Sequence, residues 1–320
     1  MPSINLITPD NGFGNTTDLL LVRDVLQDRG FGVNACGIVG YGWKRRLHAV
    51  GTQMARHLRR FDVNLFLGPI YPEWLPFARR NVIAPNQEWF LPQWIKHLGK
   101  FALVLAKTRY AEQRFRRMGC RTEFVSFTSQ DRRSDGIARS FSRFLHVCSN
   151  PHKGTKRLLE IWERHPEWPT LTAVVNRAGE RLSTRAPNIS LITTYLPLAE
   201  LRKLQNSHGV HVCCSEAEGF GHYIAEAMST EAVTITTDAP PMNELIDCSR
   251  GVLVSYSHST PRNLSQAYEF DSSAFENVIG SLPTMPTATK KALGRNARVW
   301  YEDNDAFFRT TLPDAIRAAI

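Results

Sequence analysis

Short apolar runs alternate along this chain with segments of helical periodicity. SINLITP reads as a strand, NGFGN as a turn, and TDLLLVRDVLQDRG as a helix with Thr16 or Thr17 as its N-cap and Gly30 as its stop. VNACGIVG, DVNLFLG, NVIAPN, ALVLAK and TEFVSF read as further strands, and KTRYAEQRFRRMG as a helix ending at Gly119. WKRRLHAVGTQMARHLRRF, ahead of the third strand, is a basic amphipathic segment. The pattern then restarts. RFLHVCSN, TLTAVVN, ISLITTYL, GVHVCCS, VTITTD and GVLVSY read as strands, with helices predicted at KGTKRLLEIWERH, LAELRKLQNS and HYIAEAMST. The ending, NARVWYEDNDAFFRTTLPDAIRAAI, has a helical pattern with a break expected at Pro313.

Strands alternating with helices predict an α/β protein with parallel, doubly wound sheets. Two such units are expected, joined near the polar stretch QDRRSDGIARS. The expected domains are 1–140, 141–300 and a helical segment 301–320 with the option of returning to the N-terminal domain. Ligands of such sheets sit where strand carboxyl ends meet helix N-termini.

Composition narrows the classes. At 42% hydrophobic and 22% charged residues, the chain is an ordinary globular sequence. It shows no basic-then-apolar leader pattern and no apolar run long enough to span a bilayer, so a cytoplasmic location is expected. Its six cysteines form no CxxC pair, and Cys213-Cys214 lies in an apolar strand, where buried free thiols are expected. The formal charge of +9 is unevenly spread. Residues 1–143 hold 22 Lys+Arg against 11 Asp+Glu, and residues 144–320 hold 17 against 19. A basic half beside a near-neutral one suits an anionic partner.

The candidate chemistry lies in SEAEGFGHYIAEAM, residues 215–228. Gly219, Phe220 and Gly221 separate a buried strand from a helix, and backbone amides at such a helix start suit a phosphate. Glu218 and Glu226 flank the turn as acceptors for sugar hydroxyls and a ribose diol, and Lys153, in PHKGT, neutralises a diphosphate. A phosphate seat, a cation and two hydroxyl acceptors make a site for a nucleotide sugar.

With these residues in place, the chain resembles the retaining GT-B glycosyltransferases of family 4. The resemblance runs from CSNPHKGTKRLLEIW through ISLITTYLPLAELRKLQNSHGVHVCCSEAEGFGHYIAEAMS to TTDAPPMNELI. It implies two Rossmann-like domains facing a central cleft, the second binding the donor. It also implies that Glu218 contacts the transferred sugar, Glu226 the ribose, and Gly219 to His222 the phosphate, with Lys153 as the phosphate lysine and Ser149 beside it. The family's usual Arg ahead of that Lys is missing in Val147-Cys148-Ser149, so either Lys156 or Arg177 supplies the second charge or the diphosphate is held with one cation fewer. Glu244 matches a frequent family Glu of unassigned role.

The first half matches in outline. Gly12, Phe13, Gly14 and Asn15 resemble the glycine-rich loop of the family's acceptor domain, and Asn86, Glu88 and Trp89 occupy another acceptor-side position. The mechanism implied is front-face transfer of a hexose from a UDP-sugar with retention, catalysed by Glu218 and Lys153, the departing β-phosphate taking the acceptor's proton. No cofactor and no metal is required by that resemblance. Asp303-Asn304-Asp305 spells a DxD but lies in the C-terminal helical region, without a preceding strand.

The expected acceptor is anionic. Lys44-Arg45-Arg46, Arg56/Arg59/Arg60, Arg79-Arg80 and Arg114/Arg116/Arg117 suit phosphates, with Trp43, Trp74, Trp89 and Trp94 in the same half for stacking. Hydroxymethylated-base DNA is favoured. The alternatives are a glycolipid, lipopolysaccharide or other cell-surface glycan at an anionic membrane, where the protein would be peripheral, and a non-catalytic nucleic-acid-binding protein on a transferase scaffold.

Overall fold

The computed structural model describes residues 1–10, 14–38, 61–148, 150–175 and 182–320. Gly12, Phe13, Ser149, Arg177 and nearly all of the basic segment 43–61 lie outside the described residues. The chain divides into two compact units, Met1–Phe127 with Ala306–Ile320, and Thr128–Asp305. The polar stretch read as a linker, around 130–140, is thus part of the second unit. Its bonds explain why. The Arg132 amide donates to Ser229 Oγ at 3.0 Å, the Ser134 amide to Asn206 Oδ1 at 2.9 Å, and Arg298 Nη1 to Asp131 Oδ1 at 2.7 Å.

The first unit is built on a parallel sheet of β1 (Ser3–Pro9), β2 (Gly32–Ile38), β3 (Phe61–Leu67), β4 (Ala78–Ala84), β5 (Leu103–Ala106) and β6 (Thr122–Phe124). Their order is β2-β1-β3-β4-β5-β6. Ile4, Leu6, Ile7, Val63, Leu65, Val82 and Ile83 are buried, as continuous apolar strands covered on both faces require. A row of asparagines crosses this apolar sheet. Asn34 Nδ2 donates to Asn5 Oδ1 at 2.8 Å, Asn5 Nδ2 to Asn64 Oδ1 at 3.0 Å, and Asn64 Nδ2 to Asn81 Oδ1 at 2.9 Å. Each pair is also a register partner across its two strands. Helix α1 (Gly14–Asp28) opens two residues ahead of the expected cap at Thr16. Helix α2 (Arg109–Arg117) is capped by Thr108, whose side chain accepts from the Ala111 amide at 3.1 Å, and Gly119, at φ +79°, closes it as expected.

The second unit repeats the plan with β7 (Ser140–Val147), β8 (Thr170–Val174), β9 (Ile189–Ile192), β10 (His208–Cys213), β11 (Val233–Thr237) and β12 (Val252–Val254), in the order β12-β11-β10-β7-β8-β9. Helices α3 (Thr155–Glu163), α4 (Leu198–Ser207), α5 (His222–Ser229) and α6 (Met242–Leu245) connect them. Leu158, Ile161 and Trp162 of α3 pack with Phe144, Val210, Val212 and Phe275 in one core. Next come an antiparallel hairpin, β13 (Tyr256–Arg262) with β14 (Ser265–Phe270), then α7 (Ser272–Ser281) and α8 (Thr287–Ala319).

Two departures from the sequence reading have physical causes. The hairpin is missing from it because β13 is polar and exposed over nearly its whole length, so no alternation marks it. The break expected at Pro313 is not there: α8 continues through it to Ala319. An internal proline costs a helix about 3 kcal/mol. Leu312, Ala315, Ile316 and Ala319 are all buried around it, and burying side chains the size of Leu and Ile returns about 1.5–3 kcal/mol each.

Three histidines of the second unit are buried and held neutral. Burial lowers His146 from 6.5 to about 4 and His211 to about 3, and it also lowers His208. The unfolded chain takes up protons near pH 6.5 that the folded chain refuses. The stability these histidines contribute is therefore complete above 6.5 and lost as pH falls toward 4 and 3. Urea unfolding is expected to lose about 1.4 kcal/mol per pH unit for His146, and as much for His211, below pH 6.5. His211→Gln is expected to flatten that slope, and unfolding free energies equal at pH 7.5 and pH 5 would contradict it.

Candidate functional site

The strand order of the second sheet reverses between β7 and β10: β8 and β9 extend one way, β11 and β12 the other. Loops leaving the carboxyl ends of two such strands diverge and open a crevice. The loop after β7 carries Lys153, and the loop after β10 carries Glu218 and the Gly219–Gly221 turn.

The first loop is shaped by local bonds. The Asn150 side chain accepts from the His152 amide at 2.9 Å, and a short 3-10 turn, Pro151–Lys153, ends at Gly154 with φ +67°. A Cβ at Gly154 would stand 2.6 Å from the Cys214 carbonyl and 3.1 Å from the Phe270 ring, so the loop rests directly on the backbone after β10. His146 fixes the same junction from below. One ring nitrogen lies 2.8 Å from the Val212 carbonyl, which only accepts, so Nδ1 carries the proton. Nε2 is then the acceptor, and Thr155 Oγ1 donates to it at 2.8 Å. β7, β10 and the start of α3 are thereby pinned through one neutral imidazole.

Lys153 and Glu218 are brought together. Both are buried, at 5% and 8% exposure, and Lys153 Nζ donates to Glu218 Oε1. Ser215 Oγ donates to that same oxygen. The Tyr223 hydroxyl lies 2.6 Å from Ser215 Oγ, and Lys153 Nζ sits 3.9 Å from the centre of the Tyr223 ring. Burial pushes the Tyr223 phenol well above its ordinary range, so it stays protonated.

The turn between them is a helix start. Phe220 is buried, and Gly221, at φ +113°, is the N-cap of α5. The Ile224 and Ala225 amides both bond the Gly221 carbonyl at 3.0 Å, which closes the first turn. The opening amides of a helix have no carbonyl within it to bond, and the dipole behind them favours an anion. His222 begins α5, its ring 5.8 Å from that of Phe220.

Glu226, one turn on, contacts a different set. Its Oε1 accepts from Arg132 Nη2 at 2.8 Å and its Oε2 from Gln205 Nε2 at 2.9 Å. The Gln205 carbonyl is held in turn by His211 Nε2 at 3.0 Å. Each carboxylate oxygen has a second lone pair for a further donor. The sequence reading did not include Arg132, Gln205, Ser215 or Tyr223. Ser215 and Tyr223 stand inside the stretch it singled out, whereas nothing in the sequence marks Arg132 or Gln205. Lys156, one of its two candidates for a second cation, is exposed on α3, and the other, Arg177, lies outside the described residues.

In the first unit, Gly14 and Asn15 open α1, while Gly12 and Phe13 are outside the described residues. Asn86 Oδ1 accepts from Lys107 Nζ at 2.8 Å, and Lys107, itself buried, lies 3.5 Å from Asp18 Oδ2. Glu88 is buried at 4% exposure, and Trp89 is 48% exposed. Lys107 and Asp18 were not in the sequence reading either. Asp303, Asn304 and Asp305 lie within α8, and Asp305 Oδ1 accepts from Thr128 Oγ1 at 2.8 Å. Among the described residues no group of three or more His, Cys, Asp or Glu is arranged to hold a metal ion, and no helix is long and apolar enough to cross a membrane.

No protein-family model and no curated protein matches the chain in sequence. Solved structures do match it in fold. Sucrose-phosphate synthase from Thermosynechococcus elongatus superposes with a TM-score of 0.72 at 12% identity, over 99% of both chains. Anabaena HepE, in complex with UDP and glucose, gives 0.69 at 17% identity, over 99% of this chain and 98% of that one. A glycosyltransferase from Rickettsia africae gives 0.65 at 12%, over 97% of each. Two parallel six-stranded sheets with this match are the GT-B glycosyltransferase fold.

Gly154→Ala is expected to destabilise the protein by about 1–3 kcal/mol, because the methyl group meets a carbonyl and the φ is left-handed. Gly280→Ala, in α7 with nothing within 4 Å of the added carbon, is expected to be neutral or stabilising. Chemical unfolding of the two variants checks the contrast.

Proposed function

We propose that this protein is a retaining glycosyltransferase that moves a hexose from a UDP-sugar to a hydroxyl of an anionic acceptor. The observation that carries this reading is the meeting of Lys153 and Glu218 at the switch point of the second sheet, beside the N-terminus of α5. A cation, a hydroxyl-accepting carboxylate and a helix start are what a sugar diphosphate needs. The similarity in fold to a protein solved with UDP and with UDP-glucose supports the choice of donor.

In this reading Lys153 and the turn from Gly219 to His222 hold the diphosphate, Glu218 accepts from the transferred sugar, and Glu226 accepts from the ribose while Arg132 and Gln205 hold it in place. The glycosidic carbon loses its bond to the β-phosphate oxygen and gains one to the acceptor oxygen on the same face. The acceptor's proton passes to the departing phosphate. Stabilising the charge that grows on that phosphate is the protein's main task, and Lys153 with the turn amides is placed to do it.

Hydroxymethylated-base DNA is the proposed acceptor, on the strength of the basic first half of the chain. One observation favours a second reading, a glycolipid or surface glycan at an anionic membrane. Trp89, Leu91 and Ile95 are exposed at 48%, 38% and 41%, close in sequence to Lys96 and Lys100. The non-catalytic alternative is disfavoured by the assembled Lys153–Glu218 pair.

The direct test is a panel of nucleotide sugars offered with hydroxymethylated DNA and with glycolipid vesicles, read as nucleotide release and product mass. Release from no nucleotide sugar with either acceptor would overturn the reading. Lys153→Ala is expected to lower kcat about 10²- to 10³-fold, and Glu226→Gln to raise KM for the donor about tenfold. With DNA as acceptor, affinity is expected to fall steeply between 50 and 200 mM salt, about tenfold or more for a few phosphate contacts. Salt-indifferent binding would decide against it.

A further inference from the structure

Three contacts around Glu218 share one direction. Ser215 Oγ has a single hydrogen, and a carboxylate only accepts, so that hydrogen goes to Glu218 Oε1. The bond between Ser215 Oγ and the Tyr223 hydroxyl must then be donated by tyrosine. The phenol stays protonated because it is buried, so this donor is permanent. The same side chain meets the other partner of the pair with its ring face, 3.9 Å from Lys153 Nζ. Lys153 and Ser215 both donate to Glu218 Oε1.

We propose that Tyr223 is a positioning residue for glycosyl transfer, acting on Lys153 through its ring and on Glu218 through the hydroxyl of Ser215. This rests on the reading of the site given under Proposed function. The two actions are separable in chemistry. The ring supplies a face that holds the ammonium while its anionic partner changes from the Glu218 carboxylate to the donor's diphosphate. A cation over an aromatic face is attracted whatever its counterion, so the lysine stays aimed into the crevice through the exchange. The hydroxyl does something else. It fixes the Ser215 rotor and, through the bond to Oε1, sets the orientation of the Glu218 carboxylate.

The placement follows from the sequence. Tyr223 is the second residue of α5, directly after the glycine turn, and Ser215 lies two residues beyond the end of β10. The turn from Gly219 to Gly221 folds the start of the helix back over the strand end, bringing position 223 onto position 215.

Two substitutions divide the roles. Tyr223→Phe keeps the ring and removes the donor, so kcat with UDP-glucose is expected to fall about tenfold or more while the Kd for UDP stays within twofold of wild type. Tyr223→Leu removes the ring, and the Kd for UDP is expected to rise about tenfold while that for uridine, which lacks the diphosphate, is unchanged. Ser215→Ala is expected to reproduce the kcat loss of Tyr223→Phe, and the double variant to lose no more than either alone, as one relay requires. A merely structural tyrosine would weaken UDP and uridine together and lower the melting temperature in both variants. Wild-type kcat in Tyr223→Phe, wild-type UDP affinity in Tyr223→Leu, or additive losses in the double variant would each overturn the proposal. A wild-type protein that binds neither UDP nor uridine and releases nothing from UDP-glucose would overturn the site reading, and this inference with it. Normal UDP binding in the wild type with unchanged variants would overturn this inference alone.

Discussion

A lysine and a glutamate are buried against each other at the point where the second sheet reverses direction, and the surrounding structure exists to keep them there. Burying either charge alone would cost several kcal/mol, so each requires the other or an equivalent partner. The loop carrying Lys153 is pressed onto the backbone after β10 at a residue with no side chain, and the imidazole of His146 ties the strand beneath it to β10 and to the start of α3. Glu218 is held by the loop on the other side and by Ser215. A pair supported from both loops has little freedom to relax, so under the proposed function an incoming anion meets a cation already in position. That is the preorganisation on which electrostatic catalysis depends.

The wider charge pattern of the second unit follows the same logic. Its arginines are spent internally: Arg132 on Glu226, Arg298 on Asp131, Arg157 on Glu269, Arg164 on Glu276. A near-neutral composition there reflects cations with partners on the same unit. The first half holds 22 Lys+Arg against 11 Asp+Glu, and even an arginine with a partner there, Arg79 at 3.8 Å from Asp62, stays exposed. The two units thus differ in what their charge is available for.

The sheets and the site were legible in the sequence to different degrees. Strands buried on both faces announce themselves as apolar runs, and β3, β5, β10 and β11 stand where those runs stand. The hairpin gave no signal because exposure removes alternation, and the continuity of α8 through Pro313 depends on burial that a local rule does not see. In the site, Glu218, Glu226 and the glycine turn share one stretch and Lys153 follows a strand, but such spacings recur by chance, and it is the resemblance to a known family that singles these residues out. Arg132 and Gln205 are more than 70 residues apart in sequence and both bond Glu226. No local pattern carries such a contact. Tyr223 is the middle case: within the motif, yet unremarkable until its hydroxyl is seen to have only one direction to donate.

The asparagine row across the first sheet has a consequence for how that unit tolerates change. Asn34, Asn5, Asn64 and Asn81 form a chain in which each amide completes the next, inside strands that are otherwise apolar. Asn5 and Asn64 are fully buried, so replacing one leaves the other with a buried group to satisfy, at about 1–3 kcal/mol. Replacing the row together removes those demands and leaves the Trp74 carbonyl, to which Asn64 Nδ2 donates at 2.8 Å, short of a donor. The four positions therefore behave as one inherited unit, in which the second substitution costs less than the first. A drifting sequence crosses that barrier all at once or remains behind it, and the register of the sheet, fixed by the same amides, is kept along with them.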